Sequence, residues 1–138
     1  MRKPFTAVHI HLVWATWDRQ PLLRGEAEAA AYACVRSVCA ELGAEVIALN
    51  GAEDHVHLLV RLPMTVPIST LAQRVKGASS HLLTHELGCE CFKWQGACGA
   101  FSVERKHLPL VQRYVERQKQ RHAAGDLWPT LEKIHEDG

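Results

Sequence analysis

Two short stretches, "HIHLVW" (9–14) and "HVHLLVRL" (55–62), constrain this chain more than any other feature. Successive side chains of a strand point to opposite faces. In the second stretch Val56, Leu58, Val60 and Leu62 therefore form one wholly apolar row, with His55, His57, Leu59 and Arg61 on the other side. The first stretch repeats the arrangement: Val8, Ile10, Leu12 and Trp14 share a face within residues 6–15, opposite His9 and His11. The apolar rows require a layer of helix over them, so the histidine face is expected to be the one without helix. Two imidazoles at i and i+2 lie roughly 7 Å apart along a strand, from a rise of about 3.3 Å per residue, and their nitrogens can converge on one cation. A histidine pair alone is weak evidence for a metal, which needs a third ligand and an open position.

The segments around these strands alternate in type. Residues 26–42 are rich in Ala, Glu and Leu and end at Gly43, a helix with a glycine stop. "EVIAL" (45–49) reads as a short strand and "NGAED" as a turn leading into the histidine strand, which Pro63 ends. Ser69 is placed to cap a second helix with Ile68, Leu71, Ala72, Val75 and Leu82 as its apolar face. "CFKW" and "AFSVE" read as strand segments around Gly96 and Gly99, and Pro109 suits the first turn of a helix running through "LVQRYVERQKQRH". The order predicts an α+β, ferredoxin-like (RRM-like) βαββαβ sandwich with an antiparallel sheet, the first and third strands adjacent in its middle, and a further C-terminal helix. On that helix Val111, Tyr114, Val115, Gln118 and His122 fall on one face, with Tyr114 and Gln118 one turn apart.

At 138 residues, 47% hydrophobic and 22% charged, the chain has the length and composition of one globular domain, residues 1–138. No apolar run approaches the ~18 residues of a membrane span, and the N-terminus has no signal-peptide core, so a cytoplasmic protein is expected. Five cysteines in a reducing compartment read as free thiols, Cys34 and Cys39 as small core residues. Cys89, Cys91 and Cys98 lack the spacing of a zinc finger. The net charge of +1 announces no nucleic-acid binder, although residues 104–122 hold six basic side chains against two acidic ones. A solvated helix face accounts for that segment as well as a phosphate-binding one.

Five segments in order resemble the single-tyrosine HUH transposases of bacterial insertion sequences, the IS200-like type that includes the REP-associated tyrosine transposases. "HLVWATWDRQPLL" is similar to the family's opening strand and basic turn, and "EDHVHLLV" to its His-hydrophobe-His strand with the preceding acid. "VKGASSHLL" resembles the second-helix motif, "WQGACGAFSVE" the fourth strand segment, and "YVERQKQRH" the tyrosine helix with its Tyr-x-x-x-Gln spacing. The chain departs from the pattern at Cys98, where many relatives carry an aromatic residue, and at "VERKHL", where a Ser-rich segment is common.

The resemblance implies a transposase that cleaves and rejoins single-stranded DNA with hairpin ends. Tyr114 would be the nucleophile, forming a 5′-phosphotyrosine link, and His55, His57 and Gln118 the ligands of Mg²⁺ or Mn²⁺. It leaves His9 and His11 a supporting or structural role. Lys76, Arg113, Arg117 and Arg121 are candidates for DNA backbone contacts. No nucleotide cofactor is expected, since no phosphate-cradling glycine motif is present, and a homodimer is implied. Two other readings fit the same residues: a domesticated protein that nicks hairpin DNA, and a non-catalytic single-stranded nucleic-acid-binding module. The latter would stack bases on aromatics of the two central strands, where this chain carries histidines and aliphatics.

Overall fold

The computed structural model describes residues 2 and 4–136. Strand β1 (His9–Ala15) leads through a tight turn into helix α1 (Gly25–Leu42), then to strands β2 (Glu45–Gly51) and β3 (His55–Arg61). Helix α2 (Ile68–His81), strand β4 (Gly99–Ser102) and helices α3 (Leu108–Glu116) and α4 (Gln118–Ala124) complete the order. The sheet is antiparallel with strand order β2-β3-β1-β4, so the two histidine strands lie side by side in its centre as expected. Among the described residues no helix is long and apolar enough to cross a membrane.

The alternation of the two central strands decides the layering. Ile10, Leu12, Trp14, Val56, Leu58, Val60 and Leu62 form the principal core with the inner faces of α1 (Ala31, Val35, Val38, Cys39) and α2 (Leu71, Ala72, Val75). Val8 lies before the strand and is 43% exposed, so the expected row loses its first member. Gly43 ends α1 in the left-handed conformation at φ 75, where a side chain would be strained. Its own N–H reaches Ala40 O, and the N–H of Ala44 reaches Cys39 O at 2.8 Å.

Three element boundaries differ from those expected. Helix α2 starts at Ile68 with Pro67 in the cap position, leaving Ser69 inside the first turn. Proline's missing N–H and fixed φ make it a ready entry to a helix. "CFKW" contributes one bridge, Trp94 to Thr16, rather than a strand, while its apolar side chains Phe92 and Trp94 are drawn into the core. The C-terminal helix is also broken: Arg117, at φ −99 and ψ 16, separates α3 from α4.

The histidine face is not open, in contrast to the expectation from alternation. Helix α3 packs Val111 and Val115 on Leu59 and Ala48, and Ile134 of the C-terminal segment packs on Val13 and Ala15. The amphipathic α3 needs an apolar seat, and the aliphatic positions Leu59 and Ala48 supply one on the second face. The segment after α4 comes so close to the sheet that a Cβ on Gly99 would lie 2.0 Å from Lys133 O. Leu58, fully buried at the sheet centre, carries the main core. Its replacement by Ala should cost about 3 kcal/mol, the middle of the range for a buried Leu truncation, read as a lower denaturation midpoint with an unchanged slope.

Candidate active site

The second layer closes over the two central strands and buries the histidine face. His55 and His57 are 1% and 0% exposed, and Tyr114 and Gln118 from α3 and α4 are wholly buried against them. Each histidine of the pair is anchored at Nδ1 and turns Nε2 toward a common point. His55 Nδ1–H donates to Asp54 Oδ1 at 2.7 Å. His57 Nδ1 shares a 2.8 Å hydrogen bond with Nε2 of His11 on β1. Anchoring one ring nitrogen fixes the orientation and tautomer of the other, which is how ligating imidazoles are usually held. His11 thus holds the ring of His57, while His9 takes no part in these contacts.

What fills the common point is Glu132, from a short turn (Pro129–Glu132) in the C-terminal segment. Its Oε1 lies 3.1 Å from His57 Nε2 and 3.3 Å from His55 Nε2. Its Oε2 accepts the Tyr114 hydroxyl and, at 3.3 Å, the amide N–H of Gln118. Gln118 also places that amide nitrogen 3.1 Å from His55 Nε2, which leaves its Oε1 buried without a partner. The Tyr114 oxygen accepts the Trp128 N–H at 3.1 Å, and the two rings stack with centroids 4.6 Å apart. Tyr114 stands edge-on to His57 at 5.9 Å.

Glu132 and Trp128 gave no signal in the sequence. An acid and an aromatic in a short tail belong to no spacing pattern, and only the fold brings them to the histidines. Asp54 was legible as the acid preceding the pair. His122, placed on the tyrosine face by helical spacing, is exposed, although its ring lies 5.3 Å from that of His55. The break at Arg117 means that one helical wheel does not describe both halves.

Two groups of side chains could hold a metal ion among the described residues: His55, His57 and Glu132, and Asp54, His55 and His122. The first fits a divalent cation well. Its ligand atoms are within 4.8 Å of one another, the carboxylate brings negative charge, and Gln118 adds a buried oxygen still lacking a partner. The five cysteines are free thiols spread over α1 and the segment before β4.

The four basic candidates have different surroundings. Arg113 and Arg117 project from α3 and its end as exposed side chains. Lys76 donates to the carbonyls of Gln95 (2.7 Å) and Ala97 (3.3 Å), holding the segment before β4. Arg121 lies over the rings of Tyr114 and Trp128, 5.1 and 4.7 Å from their centroids, and pairs with Asp126 at 3.2 Å.

The electrostatics follow from burial and from these contacts. Burial holds the His57 imidazolium unfavourable against the opposing pull of Glu132, and burial together with the charge of His57 lowers His11 to about 3. Burial works against the charge on Glu132 as well, but hydrogen bonds from His57 and the Tyr114 hydroxyl bring it down to about 2. Burial and the neighbouring carboxylate push the Tyr114 phenol upward. The resting site is thus arranged to keep the phenol protonated.

The comparisons with known proteins bear on what such a site belongs to. A family model described as "Transposase IS200 like" matches residues 4–118. The ISDra2 transposase TnpA of Deinococcus radiodurans is 34% identical over 114 residues, covering 78% of this chain and 81% of that protein. The chain belongs to the IS200-like transposase family. The transposase for insertion sequence element IS200 of Salmonella typhimurium is 25% identical over 121 residues, covering 84% of this chain and 80% of that one. Among solved structures, that of the REP-associated tyrosine transposase bound to a REP hairpin superposes with a TM-score of 0.67 at 16% identity. It covers 94% of this chain and 78% of the other, and bears out the fold expected from the sequence. As a member of this family the protein is a DNA transposase, an enzyme that cleaves DNA. The family match ends at Gln118, so Trp128 and Glu132 lie beyond it.

The histidine values make the fold sensitive to acid. The folded protein holds His11 neutral down to about pH 3, whereas the unfolded chain takes up that proton near pH 6.5. The unfolded state therefore binds more protons in this interval, and stability, full above about pH 6.5, falls as pH drops toward 3. Urea midpoints of the chelator-treated protein at pH 7.5, 5.5 and 4.5 should decline in that order. A flat series would contradict the burial of His11 as a neutral group.

Proposed function

We propose that this transposase cleaves and rejoins single-stranded DNA through a covalent tyrosine intermediate, with Tyr114 as nucleophile. The observation that carries the reading is the placement of the Tyr114 hydroxyl and the two Nε2 atoms around one carboxylate. Nucleophile and candidate metal ligands thus share one small volume. As the Tyr114 hydroxyl gives up its proton, transfer of the phosphoryl group to its oxygen forms the 5′-phosphotyrosine bond and breaks the bond to the 3′ oxygen, which takes up a proton and leaves as a 3′-hydroxyl, so no net proton is released. Rejoining is the reverse reaction with a 3′-hydroxyl as attacking group. The phosphodiester energy is kept in the phosphotyrosine, so no nucleotide cofactor is required.

His55 and His57, with Gln118 beside them, would hold Mg²⁺ or Mn²⁺. When bound, such an ion stabilises negative charge developing on the phosphate. The chain's own contributions are orientation and exclusion of water. Asp54 and His11 fix the two imidazoles, while Trp128 stacks on the tyrosine and orients its hydroxyl. Homodimerisation, carried by the resemblance, is part of the proposal and is read by sedimentation. We take residues 1–138 as one HUH catalytic domain, since the wall of the site is completed by residues beyond the matched stretch.

The substrate we propose is DNA with hairpin ends, by analogy with the relative solved on a REP hairpin. Arg113 and Arg117 are the exposed cations nearest in sequence to the tyrosine and suit backbone phosphates. Lys76 and Arg121 would join them by exchanging their present partners for DNA. A non-catalytic binding module that stacks bases on the central strands is disfavoured, because helix and C-terminal segment cover that face.

The test uses Mn²⁺ and single-stranded oligonucleotides carrying the ends of the element. The protein should form a covalent DNA adduct that survives denaturation, and Tyr114→Phe should abolish it. His57→Ala should lower the adduct yield by at least about 100-fold, the order expected for loss of an electrostatic catalytic group. EDTA should stop cleavage while leaving hairpin binding largely intact. An adduct persisting in Tyr114→Phe would overturn the assignment of the nucleophile.

A further inference from the structure

We propose that Trp17, Lys93 and Arg19 form a binding site for an unpaired nucleotide of the substrate strand beside the catalytic centre. The indole stacks on the base, and the two cations take the neighbouring phosphates. The inference rests on the reading of the substrate as single-stranded DNA and assigns where that strand runs.

The turn between β1 and α1 is the first observation. Asp18 and Arg19 adopt φ of 54 and 53, and among the described residues they are the non-glycine positions in the left-handed region. Such a conformation persists only where its surroundings over-determine it, and it collects at binding sites. Here the surroundings do so. Buried Thr16 donates its hydroxyl to Gln20 O at 2.7 Å. Lys93 O holds the Trp17 N–H at 2.9 Å, and Gln95 Oε1 holds the Asp18 N–H at 3.4 Å. Lys76 in turn braces the segment that supplies those acceptors. The product of this construction is a turn whose Trp17, Asp18 and Arg19 all face solvent. A turn built only for packing would bury its tryptophan.

The groups presented match a nucleotide. Trp17 is 48% exposed, and the Lys93 ammonium lies 4.1 Å from its ring centroid. A base of any identity stacks on an indole, and a cation at the same ring meets the charge of the attached phosphate. Arg19 stands 3.8 Å from Asp54 Oδ2, longer than a hydrogen bond. Its guanidinium is therefore oriented by the carboxylate without being tied to it.

Position is the third observation. The other oxygen of Asp54 holds His55 at 2.7 Å, so one carboxylate separates Arg19 from the candidate metal pair. A cavity of about 600 Å³ opens there, with Arg19, Asp54, Lys119 and His122 in its wall. Its size is that of a small-ligand site. A strand leaving the centre along this cavity reaches the turn that carries Arg19 and Trp17.

The test is equilibrium binding of the full-length protein in EDTA, which prevents cleavage, to two probes. One is the hairpin from the element's end with its single-stranded flank, and the other is the same hairpin without it. Circular dichroism would confirm that each variant is folded. The wild type should prefer the flanked probe. Trp17→Ala should shrink that preference about 10-fold, within the range for one stacked base, and Trp17→Phe should retain most of it. Abasic sites placed one at a time along the flank should reveal one position whose loss equals that of Trp17→Ala and does not add to it. Lys93→Gln and Arg19→Gln should each flatten the logarithmic salt dependence of flanked-probe binding by about 0.7. A wild-type preference preserved in Trp17→Ala, or a Trp17→Ala loss that adds in full at every abasic position, would overturn the stacking site. A protein that forms the Tyr114 adduct yet shows no preference for the flank would sink this inference and leave the proposed reaction standing. A Trp17-dependent preference in a protein that forms no adduct would do the opposite.

Discussion

The Nε2 of His57 can hold a fixed direction only because a neighbouring strand secures the other side of the ring. His11 on β1 meets Nδ1 at 2.8 Å, and the pairing of the central strands, with Val13 opposite His57, brings His11 within reach. From that contact a continuous path of polar atoms runs through His57 to Glu132 and the Tyr114 hydroxyl, ending at the Trp128 N–H. Such a buried chain has low tolerance for a missing member, because an unpaired polar group in a low-dielectric interior costs about 1–3 kcal/mol. The site is therefore part of the packing of the second face as well as a place for chemistry.

Much of this was legible in the sequence for physical reasons. Period-two alternation in two strands set the layering, and helical spacing placed Tyr114 and Gln118 on a common buried face. Glycine marked the end of α1. These are local signals, each decided by a few residues whose geometry follows from backbone repeat. The second histidine stretch also showed its difference from the first, since Asp54 beside it supplies the anchor for His55. The role of His11 required knowing which strands are neighbours, a consequence of topology that the element order supplied.

The remainder depended on contacts distant along the chain. Alternation says that a strand has a polar face but not whether something else will cover it. Here Leu59 and Ala48 gave α3 an apolar seat, and the imidazoles were enclosed with it. A helical wheel extended through Arg117 carried His122 inward, whereas the real backbone bends there and leaves it in solvent. Lys76 and Arg121, candidates for DNA backbone contacts, likewise have partners within the fold, the ammonium on backbone carbonyls and the guanidinium over two rings.

The close approach of the C-terminal segment to β4 extends the site's dependence beyond its own residues. Gly99 touches no histidine, yet the carbonyl of Lys133, next to Glu132, occupies the space that any side chain at that position would need. The glycine acts as a keyway: its bare backbone lets the tail slide close enough for the carboxylate to reach the imidazoles. A side chain at this strand position would hold the tail away from β4 and leave the imidazoles without their carboxylate neighbour.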